Sequence, residues 1–159
     1  MTQRMLTVLV WFLACATIFA ATKIDSRLAS VRKAYLVAAD ELGDDQFVVA
    51  CLPEKLKALT PIVAVERKED ADVLLTIEAH IPSKGARYAL GGMGKTPSAR
   101  IEAKLPDGTL LWSDGAKTGK LTSGGLIGAS RSETGIACAL AEGLANTLRD
   151  AMRDARDKK

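Results

Sequence analysis

Asp72–Ile81 reads DVLLTIEAHI, and this stretch decides the fold class. Val73, Leu75, Ile77, Ala79 and Ile81 alternate with Leu74, Thr76, Glu78 and His80. A two-residue period over so many positions predicts a β-strand with one face in the core and the other largely wet. Ser98–Leu105 repeats the pattern, with Ala99, Ile101, Ala103 and Leu105 set against Arg100, Glu102 and Lys104. Pro106-Asp107-Gly108 then turns the chain into TLLWSD, since Pro presets φ, Asp caps the turn and Gly accepts positive φ. Trp112 is expected to seal one end of the core.

Upstream of the central strand, VRKAYLVAADE alternates Tyr35, Val37 and Ala39 with Leu36 and Ala38, as a strand would. The run Ile24–Leu42 is also rich in helix formers, so both readings stay open from local sequence. Asp44–Leu59 reads as helix: Asp44 or Asp45 caps it, and Val48, Leu52, Leu56 and Leu59 recur at helical spacing. Pro53 is expected to kink that helix or to start a second turn. PIVAVER reads as a short strand, followed by the acidic loop KEDAD. At the far end, Ser130 or Ser132 caps a long helix with Glu133 in its first turn. Ala137, Leu140, Ala141, Leu144, Leu148, Ala151, Met152 and Ala155 form its apolar stripe, with Cys138 at the edge. The sum is an α+β fold, a two-layer sandwich of a mostly antiparallel sheet of four to five strands with two helices on one face.

Residues 1–20 read as a signal peptide, since Arg4 precedes an apolar run from Met5 to Ala21 broken only by Thr7 and Thr17. A run of seventeen residues sits at the short limit for spanning a hydrocarbon core of about 30 Å, so cleavage after Ala20 is favoured over a retained anchor. Lipidation at Cys15 is a poorer match, because the apolar run continues past it. Residues 21–159 are then one domain, with Gly-rich loops at about 82–98 and 115–131, and a periplasmic or secreted location is expected. Export leaves Cys51 and Cys138 in an oxidising compartment, which favours a disulfide between them over two buried thiols. The two cysteines can meet if both helices cover the same face of the sheet.

The 159 residues are 48% hydrophobic but only 4% aromatic, so the core rests on Val, Leu, Ile and Ala. A net charge of +3 with no basic run interleaved with aromatics argues against nucleic acid as a partner. His80 is the only histidine, and no metal-ligand spacing is present, so neither a metal nor a cofactor site is expected. Ala89–Ala99, ALGGMGKTPSA, spells a loose phosphate-binding loop, but Pro97 and a strand follow where that loop needs a helix, so nucleotide binding is not expected. Catalysis would need His80 to serve Cys138 or a loop serine such as Ser123, Ser130 or Ser132, yet the strand phase puts His80 on the face away from the cysteines. A solvent-exposed histidine is the simpler reading, and no catalytic residue is assigned.

The order of elements, with Ala71-Asp72 opening the central strand and Asp107-Gly108 followed by Leu111-Trp112, resembles the small envelope α/β domains of the TolB amino-terminal domain and related bacterial accessory lipoproteins. That resemblance implies a non-enzymatic exported protein that binds another cell-envelope protein or complex through its loops or a sheet edge. Membrane contact is expected only through an uncleaved N-terminal segment or lipidation. A small hydrolase using His80 with a loop serine is the alternative, and a domain binding a small ligand or lipid in an apolar cavity between sheet and helices is a further one.

Overall fold

Val73–His80 forms β3, the middle strand of a five-stranded sheet, in a computed structural model that describes residues 23–82, 96–117 and 132–158. The signal-peptide segment, the phosphate-loop-like stretch up to Lys95, Ser123 and Ser130 lie outside the described residues. The other strands are β1 (Lys33–Ala38), β2 (Val63–Val65), β4 (Ser98–Lys104) and β5 (Leu110–Lys117), in the order β2-β1-β3-β4-β5. The helices are α1 (Asp45–Leu59) and α2 (Glu133–Asp157), with short 3-10 turns at Ser26–Ser30 and Lys68–Asp70.

The expected α+β sandwich is what the chain adopts, with a mixed sheet: β1 pairs parallel with both β2 and β3, while β3–β4 and β4–β5 are antiparallel. The strand reading of 31–41 holds over Lys33–Ala38, because three-strand burial outweighs the helix propensity of this Ala- and Leu-rich segment. Asp72 fixes the β1–β3 pairing at its start: its Oδ2 accepts the backbone N–H of Arg32 and of Lys33, each at 2.9 Å.

Register follows the alternation in β3 and β4, so Leu75 faces Ala103, Ile77 faces Ile101 and Ala79 faces Ala99. Val73, Leu75, Ile77, Ile101 and Ala103 are fully buried together with Leu52 and Leu56 of α1 and Leu140, Leu144 and Leu148 of α2. Burying each of the larger side chains contributes about 1.5–3 kcal/mol. In β5 one extra residue is accommodated where Trp112 faces Ala103 and Leu110 faces Lys104, and the resulting bulge lets the consecutive Leu111 and Trp112 both enter the core. The turn between β4 and β5 contains the expected Gly at positive φ, Gly108 at 88°. Gly115 answers a different need, since a Cβ there would lie 3.1 Å from the carbonyl oxygen of Ala99 on β4. Gly115, Ala116 and Lys117 belong to β5, so the second Gly-rich connection begins later than residue 115.

Helix α2 starts as its sequence predicts, with Ser132 Oγ accepting the N–H of Gly135 at 3.2 Å. Its 25 residues make a rod about 37 Å long. Helix α1 runs through Pro53 as one element; Pro53 is exposed, and the helix resumes its buried spacing at Leu56. Cys51 and Cys138 are joined by a disulfide with a Cα–Cα distance of 5.1 Å, inside the usual range for such bridges. One turn further along each helix, Lys55 Nζ lies 3.4 Å from Glu142 Oε2. Contacts that advance in the same direction along both helices mean that α1 and α2 run parallel where they touch.

Candidate functional site

The carboxyl ends of the parallel strands β1 and β3 lie side by side, and the segment Ala39–Asp44 crosses from there into α1. The sequence offers Asp44 or Asp45 as the cap of that helix. Asp44 occupies the N-cap position but makes no capping hydrogen bond. Both carboxylates turn instead toward the strand ends. Asp45 Oδ1 accepts the N–H of Ala79 at 2.5 Å and Oδ2 that of Asp40 at 2.6 Å, while Asp44 Oδ2 accepts the N–H of Ile81 at 2.6 Å. Asp45 is only 3% exposed. The backbone donors that run out of strand partners at the end of β3 are thereby satisfied by side chains from a neighbouring element.

Beside this joint lies an open, polar cleft of about 440 Å³ lined by Ala39, Asp40, Gly43, Asp44, Asp45, Glu78, Ala79 and His80. A second cleft of about 230 Å³ continues it over Ser98, Ala99 and Arg100. Leu42, 95% exposed, and Phe47, 49% exposed in the first turns of α1, flank the same end. Ile81-Pro82, Thr96-Pro97 and Lys117, from which the two Gly-rich connections leave, belong to this end of the sheet as well, since Ser98 pairs with both His80 and Lys117. Sequence alone had marked the loops; it had not shown that they are rooted beside one cleft.

Among the described residues, those weighed for catalysis are not brought together. His80 is exposed on the face of β3 opposite the helices, as its strand phase required. Cys138 is committed to the disulfide and offers no thiolate. Ser132 serves as the N-cap of α2, and Ser123 and Ser130 lie outside the described residues. Among the described residues no group of three His, Cys, Asp or Glu side chains is arranged to hold a metal ion, and no helix is long and apolar enough to cross a membrane.

The outer face of the sheet carries the charged residues read from the sequence. Glu102 Oε2 lies 2.7 Å from Lys104 Nζ and its Oε1 lies 3.3 Å from Arg100 Nη2. The Lys104 hydrogen bond, with smaller help from the charges of Lys104 and Arg100, holds the Glu102 carboxyl below its ordinary range. This face is less wet than the sequence suggested, with Tyr35, Leu74, Thr76 and Glu102 half-buried and Ser113 buried.

The sheet edges are not simple docking rails. The short strand at an edge is β2, of three residues, whereas the first strand lies inside the sheet. On the β5 edge, Leu111 O accepts the N–H of Asp25 at 3.0 Å, and Asp114 Oδ1 takes the N–H of Gly115 at 2.7 Å. A strand added there would have to displace both.

No family model matches the chain, and no curated protein matches it. Among solved structures it is similar to a PelC dodecamer subunit from Paraburkholderia phytofirmans, with 16% identity over 74% of this chain and 86% of that one and a TM-score of 0.45. A DUF4136 family protein from Bacteroides thetaiotaomicron shows 16% identity, covers 80% of this chain and 94% of its own, and has a TM-score of 0.45. An uncharacterized lipoprotein B from Nitrosomonas europaea shows 16% identity over 80% of this chain and 88% of its own, with a TM-score of 0.40. The TolB amino-terminal domain is not among these three.

Proposed function

We propose that the protein is an exported accessory component of a bacterial cell envelope, and that it binds another envelope protein through the end of the sheet where β1 and β3 finish. The observation that carries this reading is the convergence at that end of a polar cleft, the roots of both Gly-rich connections and the exposed Leu42 and Phe47. Long loops on a rigid scaffold are where binding residues concentrate. Leu42 gains nothing for the fold from 95% exposure, and an apolar anchor ringed by polar groups is the composition of an interaction site. The signal-peptide pattern and the Cys51–Cys138 bridge support the compartment.

Binding is favoured over hydrolysis because Ser98, the hydroxyl that faces His80 across the β3–β4 pair, makes no hydrogen bond to it among the described residues, and the cleft's buried carboxylate, Asp45, is spent on backbone donors. A lipid-binding role would need an enclosed apolar cavity, whereas this cleft is open and polar. The test places a photo-crosslinking residue at Leu42 or, as a control, at exposed Lys57 on the far part of α1, with the full chain expressed in its native cells. A discrete adduct with one envelope protein from position 42 alone is expected. Equal, diffuse adducts from both positions, or a cytosolic protein with free thiols, would overturn the reading.

A further inference from the structure

Pairing register places one row of side chains across the whole outer face of the sheet. Val65 faces Tyr35, Tyr35 faces Leu74, Leu74 faces Lys104 and Lys104 faces Leu110. Val63, one row away beside Lys33, extends the patch at the β2 edge. Val63 is 56% and Leu110 49% exposed, and Tyr35, Val65 and Leu74 are half-buried. Lys104 interrupts the row only with its head group, which is drawn aside to Glu102. Among the described residues both helices lie on the opposite face, so nothing described covers this stripe.

From this arrangement we infer that the outer face of the sheet is the interface of a homodimer, with the stripe of one copy laid on that of a second. Charge selects this occupant. In and around the stripe the face carries Glu78 and Glu102 against Lys33, Arg100 and Lys104, two acids and three bases, with Glu102 already paired to Arg100 and Lys104. A strongly acidic or basic partner gains little long-range attraction from a nearly balanced surface, whereas a second copy turned end for end sets Tyr35 against Lys104 and leaves no base on a base along the stripe. A two-fold axis in the plane of contact also brings an apolar band onto itself, the self-complementarity that an isologous dimer requires.

Area sets the strength. The strands β2, β1, β3, β4 and β5, of three, six, eight, seven and eight residues, at about 3.3 Å per residue and about 4.8 Å between strands, offer a face of about 500 Å² per copy. That total, about 1,000 Å², stands at the lower bound for a specific interface, so the dimer is a weak one.

The test is sedimentation equilibrium of the disulfide-containing exported protein over roughly 10 µM to 1 mM, the concentrations at which a weak dimer forms. The wild type is expected to move reversibly from monomer to dimer as concentration rises. The double variant V63K/L110K, altered at two exposed positions, is expected to stay monomeric with an unchanged unfolding midpoint, while L42K at the opposite end dimerises as wild type. A wild type that remains monomeric at the highest concentration overturns the inference. So does a dimer that survives V63K/L110K, or one that L42K abolishes. Because the Leu42 end and the stripe are separate surfaces, loss of the crosslink at position 42 leaves the dimer reading standing, and the reverse also holds.

Discussion

The carboxylate of Asp45 accepts the backbone N–H of Ala79 at 2.5 Å, from 34 residues away in sequence, and its second oxygen holds the N–H of Asp40. One buried side chain at the start of α1 therefore closes the ends of β1 and β3 at the same time.

Asp45→Ala leaves two part-buried donors without their acceptor, and a charged acceptor is among the stronger kinds. The expected cost is about 2 kcal/mol, read as a lower urea midpoint with an unchanged slope. Asp45→Asn retains one acceptor oxygen and should fall between. Faster amide exchange at Ala79 and Asp40 in both variants would place the damage at this joint, whereas uniform loss across the sheet would contradict the role given to Asp45.

The disulfide closes a loop with a sequence separation of 87, for which the chain-entropy model gives about 4–5 kcal/mol. Reduction, or the double variant C51S/C138S, is expected to lower the thermal midpoint by well over ten degrees, since about 1 kcal/mol moves it by a few degrees in a domain of this size. The Lys55–Glu142 pair one turn away is exposed and contributes at most about 1 kcal/mol, so Lys55→Met should change little by comparison.

Acid should weaken the fold through carboxylates whose folded pKa is depressed. Asp25 is held at about 2 by its hydrogen bonds from the Arg27 side chain and backbone, and Glu102 is lowered by Lys104 and Arg100. Groups of this kind stabilise the folded state above their unfolded pKa and lose that contribution as pH falls through the folded value. Stability should thus hold from neutrality to about pH 5 and decline from about pH 4.5 toward 2. Glu102→Gln is expected to flatten the upper part of that decline in urea titrations, and an unchanged acid limb would count against the Glu102 contribution.

Two glycines are held for different reasons, and substitution separates them. Gly108, at φ 88° with open space around its Cβ position, should lose about 1 kcal/mol as alanine and recover part of it as asparagine, which tolerates the left-handed region. At position 115 a Cβ would lie 3.1 Å from the Ala99 carbonyl oxygen, so alanine and asparagine should both be destabilising there, with no recovery. Chemical denaturation of the four variants distinguishes the two causes.

Local pattern was enough for the parts of this protein whose information is local. The alternation from Val73 to Ile81 reports a strand buried on one side, the Leu140–Leu144–Leu148 spacing reports a helix facing it, and Pro106-Asp107-Gly108 reports the turn, because each depends on neighbours within a few residues. Sequence also supplied the pairing of Cys51 with Cys138 as a condition on both helices sharing a face. What only the tertiary structure decided depends on partners far along the chain. The parallel placement of β1 between β2 and β3 rests on backbone pairing and on Asp72 reaching back to Arg32 and Lys33. Asp44 and Asp45 look like helix caps in sequence and become strand-end acceptors because Ala79 and Ile81 arrive beside them. The stripe from Val65 to Leu110 exists in no single segment; it arises when register lines up one half-exposed residue from each strand, and register is a property of the folded sheet.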